Sequence, residues 1–328
     1  MGMKLILAPM EGLVDAQMRR ILTAIGGIDQ GVTEFIRVND LVLPPKSFYK
    51  IAPELKTAGQ TAAGTPISIQ LLGSNPDVMG ENAKLAVKLG APAIDLNFGC
   101  PSKRVNSHKG GSVLLKEPNI VHDVVKAVRT AVPQEIPVTA KMRLGYEDKS
   151  QALENAHAIE EGGASEVCVH ARTKVEGYRP PAHWEWIARI REAVDINVVA
   201  NGDVCTVDDY KRCRDVSGCT DVMIGRGLIA KPDLARLIQH ENQNDGTSTS
   251  QKASVLSWQE FLPMLHGFYR EMWLEVPDKH GPGRLKQWLN FLKLQYPEAQ
   301  DLFSRVRGIK DPEIIDHMLL PDSFREAG

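Results

Sequence analysis

Eight short β-branched runs alternate with segments of helical periodicity along the first two thirds of the chain. This alternation constrains the fold more than any other feature. The strand candidates are 5–8, 32–38, 67–72, 93–98, 138–144, 166–170, 196–200 and 221–224. Helical spacing of apolar residues covers 15–25, 76–89, 119–131, 151–161, 184–193 and 206–214, while 39–64 reads as a long loop with short pieces. Apolar runs of this length suit parallel strands covered on both faces. Eight of them with intervening helices predict a (β/α)8 TIM barrel. A doubly wound open sheet alternates in the same way, but no G-x-G-x-x-G follows the first strand.

Beyond the eighth strand the pattern changes. Residues 241–254 are polar and rich in Ser, Thr, Asn and Gln, which reads as a linker. After Trp258 only helical patterns remain, at 258–275, 283–296 and 298–306. The expected organisation is a catalytic barrel over 1–244 and a small all-helical domain over 245–328.

A net charge of −2 over 328 residues does not mark a generic nucleic-acid binder. Five cysteines with no C-x-x-C spacing suit reduced thiols rather than a disulfide framework or a metal site, so a cytoplasmic protein without a metal is expected. No run is long and apolar enough to span a membrane. Residues 5–8 are too short for a signal sequence, and Ile6 stands where a myristoylation motif needs Ser or Thr.

In a barrel of this kind, function is built at the C-terminal ends of the strands. The polar groups at those ends are Glu11 beside Met10, Glu34 and Arg37, Gln70, Asn97 with Cys100, Lys141 with Arg143, His170 with Arg172, Asn201-Gly202-Asp203 and Gly225-Arg226-Gly227. Lys141 and Arg143 are two apart and therefore share one strand face, the inward one if either is functional. Cys100 lies just past its strand, where Pro101 stops the ladder. A thiol there is either a catalytic group or an ordinary buried cysteine. The glycines after strands seven and eight occupy the usual barrel phosphate site, and Arg226 can bind a phosphate bidentately. A phosphate-bearing ligand is expected; these residues do not distinguish a substrate from a cofactor.

Several motifs together resemble the tRNA-dihydrouridine synthase family. They are Ala8-Pro9-Met10-Glu11-Gly12, Thr33-Glu34-Phe35, Gln70-Leu71-Leu72-Gly73, Asp95-Leu96-Asn97-Phe98-Gly99-Cys100-Pro101, Lys141-Met142-Arg143, His170-Ala171-Arg172-Thr173, Asn201-Gly202-Asp203 and Gly225-Arg226-Gly227. They run in the family's order across the whole barrel. Gly283-Arg284-Leu285-Lys286-Gln287-Trp288 and Phe303 with Val306-Arg307 resemble the bacterial subgroup that modifies uridine 16 of the tRNA D-loop.

The resemblance implies an enzyme with bound FMN and NADPH as a transient reductant. Ala8, Pro9, Met10, Gln70, Lys141, His170, Asn201, Gly202, Asp203, Gly225 and Arg226 would hold the flavin. Lys141 would place a cation near its N1 and O2, and Gln70 would meet its polar edge. Reduced flavin gives a hydride to C6 of uracil, and Cys100 protonates C5. The target base must leave its stack to reach the site. Arg37, Asn97, Arg284, Lys286, Phe291 and Arg307 would meet the tRNA. Phe291 departs from the tyrosine of the subgroup, keeping a stacking surface without the hydroxyl. No stable protein partner is implied.

The tail points to RNA on its own account. Between Lys279 and Lys310 seven Lys or Arg face two acidic residues, an excess of five positive charges. Such a surface is the usual source of affinity for an RNA backbone. Two other classes are weighed against this reading. A flavin barrel acting on a free pyrimidine, such as a dihydroorotate dehydrogenase, has no need of a basic helical tail. A non-catalytic RNA-binding barrel has no need of Cys100 and Lys141.

Overall fold

A computed structural model describes residues 2–244, 254–275 and 281–320. The linker proposed at 241–254 and the position of Lys279 therefore lie largely outside the described residues. The strands are β1 (Leu5–Leu7), β2 (Gln30–Val32), β3 (Ile36–Arg37), β4 (Ile67–Leu72), β5 (Ile94–Phe98), β6 (Val138–Arg143), β7 (Glu166–His170), β8 (Asn197–Asn201) and β9 (Val222–Ile224). All pair in parallel, and the pairings of β2 with both β1 and β4 close the sheet on itself. Eight staves result, because β2 and β3 occupy one position.

That divided stave corrects the expected continuous strand at 32–38. The Thr33 hydroxyl accepts the backbone N–H of Gln70 at 3.0 Å. A side chain thus takes the place of a ladder partner between Ser68, which pairs with Val32, and Leu71, which pairs with Ile36. The barrel centre is filled by Ile6, Ala8, Val32, Cys168, Val199 and Met223, so it is a packed core and not a pore.

The helices are α1 (Ala16–Ile25), α2 (Pro45–Ile51), α3 (Pro76–Lys88), α4 (Lys103–Asn106), α5 (Pro118–Ala131), α6 (Ala152–Glu161), α7 (Trp184–Ala193), α8 (Val207–Ser217), α9 (Arg226–Ala230), α10 (Leu234–Asn244), α11 (Trp258–Glu275), α12 (Gly281–Leu292), α13 (Pro297–Val306) and α14 (Pro312–Leu319). Around the barrel, α3, α5, α6, α7 and α8 pack each against the next. Their starts follow local chemistry. Asn75 caps α3 ahead of Pro76, and Thr206 caps α8 in a reciprocal box with Asp209.

The chain packs as two compact units, one of residues 1–16 and 28–225, the other of 17–27 and 226–328. The expected boundary at 244–245 thus falls inside the second unit, which takes in α1, α9 and α10 as well as the tail. Its core is aromatic. Trp288 is fully buried, meets Phe261 and Phe268 edge-on at 5.4 and 4.8 Å, and donates its indole N–H to the Ile229 carbonyl at 3.0 Å. The tail holds a fourth helix beyond the three expected. Its start, Asp311-Pro312-Glu313, combines an N-cap, a proline at the first helical position and an acid in the first turn.

Candidate active site

Strand register sets the rows of the barrel mouth. Gln70 lies opposite Asp95, and Asp95 opposite Thr139; one step up, Asn97 lies opposite Lys141 and Lys141 opposite Cys168; above them Arg143, His170 and Asn201 align. Because side chains alternate along a strand, Asp95 and Asn97 face one way, as do Thr139, Lys141 and Arg143. These side chains converge on the inner side of the barrel, where Gln70, Asp95, Thr139 and Asn97 bond to one another and Lys141 bonds to Asn201.

Asp95 accepts from Thr139 Oγ1 at 2.6 Å and from Gln70 Nε2 at 2.7 Å. Asn97 Nδ2 donates to Gln70 Oε1 at 2.7 Å, and its Oδ1 accepts the backbone N–H of Cys100 at 2.9 Å and of Gly99 at 3.0 Å. Gln70 is therefore committed at both ends of its amide and fully buried. Burial pushes the Asp95 carboxyl above its usual range, against the hydrogen bonds from Gln70 and Thr139.

Cys100 sits at the mouth, packed with Leu72 and Val105 and bordered by Phe35. Its carbonyl is held by Asn106 Nδ2 at 2.8 Å and Ser112 Oγ at 2.9 Å, so the backbone on both sides of the thiol is fixed. Burial raises the thiol's pKa and outweighs the lowering by Arg143 and Arg37, while Glu11 adds to the rise. A thiol held neutral is suited to giving a proton, not to acting as a thiolate nucleophile.

Lys141 is half-buried and donates from Nζ to Asn201 Oδ1 at 2.9 Å. Asn201 in turn donates to the Met223 carbonyl at 2.8 Å. Burial lowers the Lys141 pKa, since a charged ammonium loses its hydration there. Arg143 lies above it and grips three carbonyls, those of Gly99 at 2.8 Å, Thr173 at 3.1 Å and Gly177 at 2.9 Å. It thereby ties the Cys100 loop to the loop after β7. His170 is buried with its ring 5.9 Å from that of Tyr178, over which the Arg143 guanidinium also lies at 5.2 Å. Tyr178 is more than half exposed. The sequence reading did not single it out, because it stands eight residues past its strand in a polar loop.

The ends of β8 and β9 make a cradle. Gly202 has φ +133°, a conformation L side chains rarely adopt, and a Cβ at Gly225 would stand 3.3 Å from Met10 Sδ and 3.5 Å from Ala8 Cβ. Arg172, fully buried, pairs with Asp203, yet its Nη1 has no hydrogen-bond partner among the described residues. An unpartnered nitrogen on a buried guanidinium that pairs with Asp203, the residue after Gly202, fits an anionic group such as a phosphate. Arg226 follows Gly225 directly in the chain and opens α9.

Within the second unit, Arg284 is half-buried on α12, bonded to Gln287 and lying over the Phe268 ring at 6.0 Å. Lys286 donates to the Ile309 carbonyl, and burial lowers its pKa, with Lys310 adding to the shift. Phe291 is half-buried on the same helix, and Arg307 is exposed at the end of α13. Helices α12 and α13 pack side by side, the condition for these residues to share a surface. Among the described residues no cluster of His, Cys, Asp or Glu could hold a metal ion, and no helix is long and apolar enough to cross a membrane.

Fold and site together define a TIM-barrel enzyme with a cationic, donor-rich mouth and one shielded thiol. The family model for dihydrouridine synthases matches residues 6–287. Proteins named tRNA-dihydrouridine(16) synthase are similar over almost the full length. That of Aquipseudomonas alcaligenes is 53% identical over 317 residues, covering 97% of this chain and 99% of its own. That of Pseudomonas putida is 53% identical as well, over 97% and 96% of the two chains. A solved variant of NCR from Zymomonas mobilis superposes with a TM-score of 0.52 at 15% identity, over 73% of this chain and 86% of its own, a likeness of fold. The chain belongs to the dihydrouridine synthase family.

Proposed function

We propose that this protein reduces the C5=C6 bond of uridine 16 in the D-loop of tRNA, with FMN bound at the barrel mouth and NADPH as reductant. The observation that carries the reading is Cys100, a thiol at the barrel mouth that burial beside Leu72, Val105 and Phe35 keeps protonated against the pull of Arg143 and Arg37. Support for the RNA and for the position comes from the relatives named for uridine 16 and from the basic residues of α12 and α13.

The residues divide the work as follows. Gly202, Asp203 and Gly225 offer backbone to the cofactor phosphate, and Arg226 adds a guanidinium. Ala8, Pro9 and Met10 pack on the ring system. Lys141, oriented by Asn201, supplies a positive charge, while the Gln70 amide and the His170 ring line the polar edge of the site. The bound flavin supplies a hydride for C6. Cys100 delivers the proton to C5 from Sγ. Arg37 and Asn97 receive the unstacked base; Arg284, Lys286, Phe291 and Arg307 are the RNA contacts of the second unit. Asn97 has a second duty, since its carbonyl oxygen already fixes the Cys100 backbone.

The test is mass-spectrometric mapping of dihydrouridine in tRNA from cells lacking the protein. Loss at position 16 alone is the expected result. Loss at another position refutes the assignment to uridine 16, and an unchanged map refutes the activity.

A further inference from the structure

We propose that Asp95 is a positioning residue for Cys100, its carboxylate setting the direction of a hydrogen-bond relay that runs through Gln70 and Asn97 to the Cys100 backbone. The inference rests on the reading of Cys100 as the proton donor.

The relay has an acceptor at one end and donors at the other. Both Asp95 oxygens accept, Oδ1 from Thr139 and Oδ2 from Gln70, the pattern of an ionised carboxylate. In that form it only accepts, so Gln70 turns its Nε2 to Asp95, as it does at 2.7 Å. Its Oε1 then faces Asn97 and accepts from Nδ2 at 2.7 Å. That leaves Asn97 Oδ1 toward the loop, where two backbone N–H groups, of Gly99 and Cys100, can only donate. Two amides between an acceptor-only group and donor-only groups fit in one orientation. Reversing either amide would set N–H against N–H at Cys100 or oxygen against carboxylate at Asp95. Asp95 is itself fixed by Thr139 Oγ1 at 2.6 Å on the neighbouring strand. All four residues are buried, so water cannot substitute for a misdirected bond. Each link is short, and Gln70, Asp95 and Thr139 are direct cross-strand neighbours, so the row is built into the register.

An amide at position 95 removes this constraint. In Asp95→Asn, Nδ2 can face Gln70, which then reverses, and Asn97 after it. The Gly99 and Cys100 N–H groups then lose their shared acceptor, Asn97 Oδ1. Gln70→Glu instead sets two carboxylates against each other. The double variant Asp95→Asn/Gln70→Glu restores a consistent direction: Asn at 95 accepts from Thr139 and donates to Glu at 70, whose other oxygen still accepts from Asn97.

The readout is alkylation of Cys100 by iodoacetamide across pH in the flavin-loaded protein, with the modified peptide resolved by mass spectrometry. It needs no tRNA turnover. Each single variant is expected to alkylate at Cys100 roughly tenfold faster or more, the scale of a lost buried hydrogen bond, and the double variant to return close to wild type. Either single variant keeping the wild-type alkylation profile overturns the relay. So does a double variant no better than the singles in either soluble yield or Cys100 reactivity, which also decides the case where the singles do not fold. Full dihydrouridine formation by Cys100→Ala would remove the donor reading while leaving the relay's control of the thiol intact, so the two failures are separable.

Discussion

Lys141 Nζ stands 2.9 Å from Asn201 Oδ1, a link from β6 to β8 across the barrel mouth. No carboxylate hydrogen-bonds this half-buried ammonium among the described contacts, and burial lowers its pKa. A cation kept there under that penalty is suited to an anionic ligand. Lys141→Met keeps volume and removes charge. Purified variant is expected to carry well under half the wild-type flavin, read from its absorbance, with its melting temperature nearly unchanged. Wild-type flavin content together with wild-type NADPH oxidation would show that Lys141 does not face the cofactor.

Cys100→Ala is expected to keep flavin and its reduction by NADPH but to form dihydrouridine some 10²–10⁴-fold more slowly, the usual worth of a general acid. Single-turnover transfer from reduced enzyme to tRNA isolates the step. Full turnover would mean that Cys100 packs and does nothing more.

The pH dependence of that step follows from the direction of the thiol's shift. Burial raises the Cys100 pKa, so the acid form is fully present at neutral pH and is lost only as pH rises above the usual thiol range of about 8.5. Transfer should be flat through neutrality and fall on the alkaline side. Glu11 contributes to the rise, so Glu11→Gln should move the fall to lower pH. A fall that does not move, or one in wild type below neutrality, is inconsistent with Cys100 as donor.

The barrel was legible because its strands are short apolar runs that alternate with helical periodicity, and β4 and β7 end where the pattern ends. What escaped was what side chains do across the sheet. The gap between β2 and β3 depends on the Thr33 hydroxyl taking a backbone proton from a neighbouring strand. Lys141 and Arg143 read as one inward face from their spacing, yet nothing in the spacing says that Arg143 gathers three carbonyls from two loops. Asp95 lay in the quoted motif but attracted no role, since a buried carboxylate between two amides has meaning only once Gln70, 25 residues earlier, is beside it. The boundary of the second unit was hidden for the same reason: α1, α9 and α10 look like ordinary barrel helices until Trp288 is seen bonded to Ile229.

That bond makes residue 245 a poor place to divide the protein. Trp288 is fully buried between Phe261 and Phe268, and cutting at 245 would strip the Ile229 carbonyl of its donor and expose the helix faces of the second unit. Trp288→Ala should cost about 3–5 kcal/mol, as large aromatic deletions do. Thermal melting should show that loss, and the chain truncated at 245 should be less soluble than the whole. A truncated protein with an unaltered melting transition would show that the tail contributes nothing to the fold.

The tRNA surface is better probed by single charges. Arg307 is exposed at the end of α13, whereas Lys286 is turned inward to the Ile309 carbonyl. Their roles should therefore separate. Arg307→Ala is expected to weaken tRNA binding and to make the log–log salt slope shallower by about one unit, the mark of one lost phosphate contact. Lys286→Ala should instead lower the melting temperature by releasing the segment after α13, with a smaller change in salt slope. Flavin reduction by NADPH should be untouched in both. Binding isotherms over a salt series distinguish these outcomes. Equal slopes for wild type and Arg307→Ala would remove Arg307 from the RNA surface, and a full unit lost with Lys286→Ala at unchanged stability would mean that its ammonium leaves Ile309 to meet the phosphate.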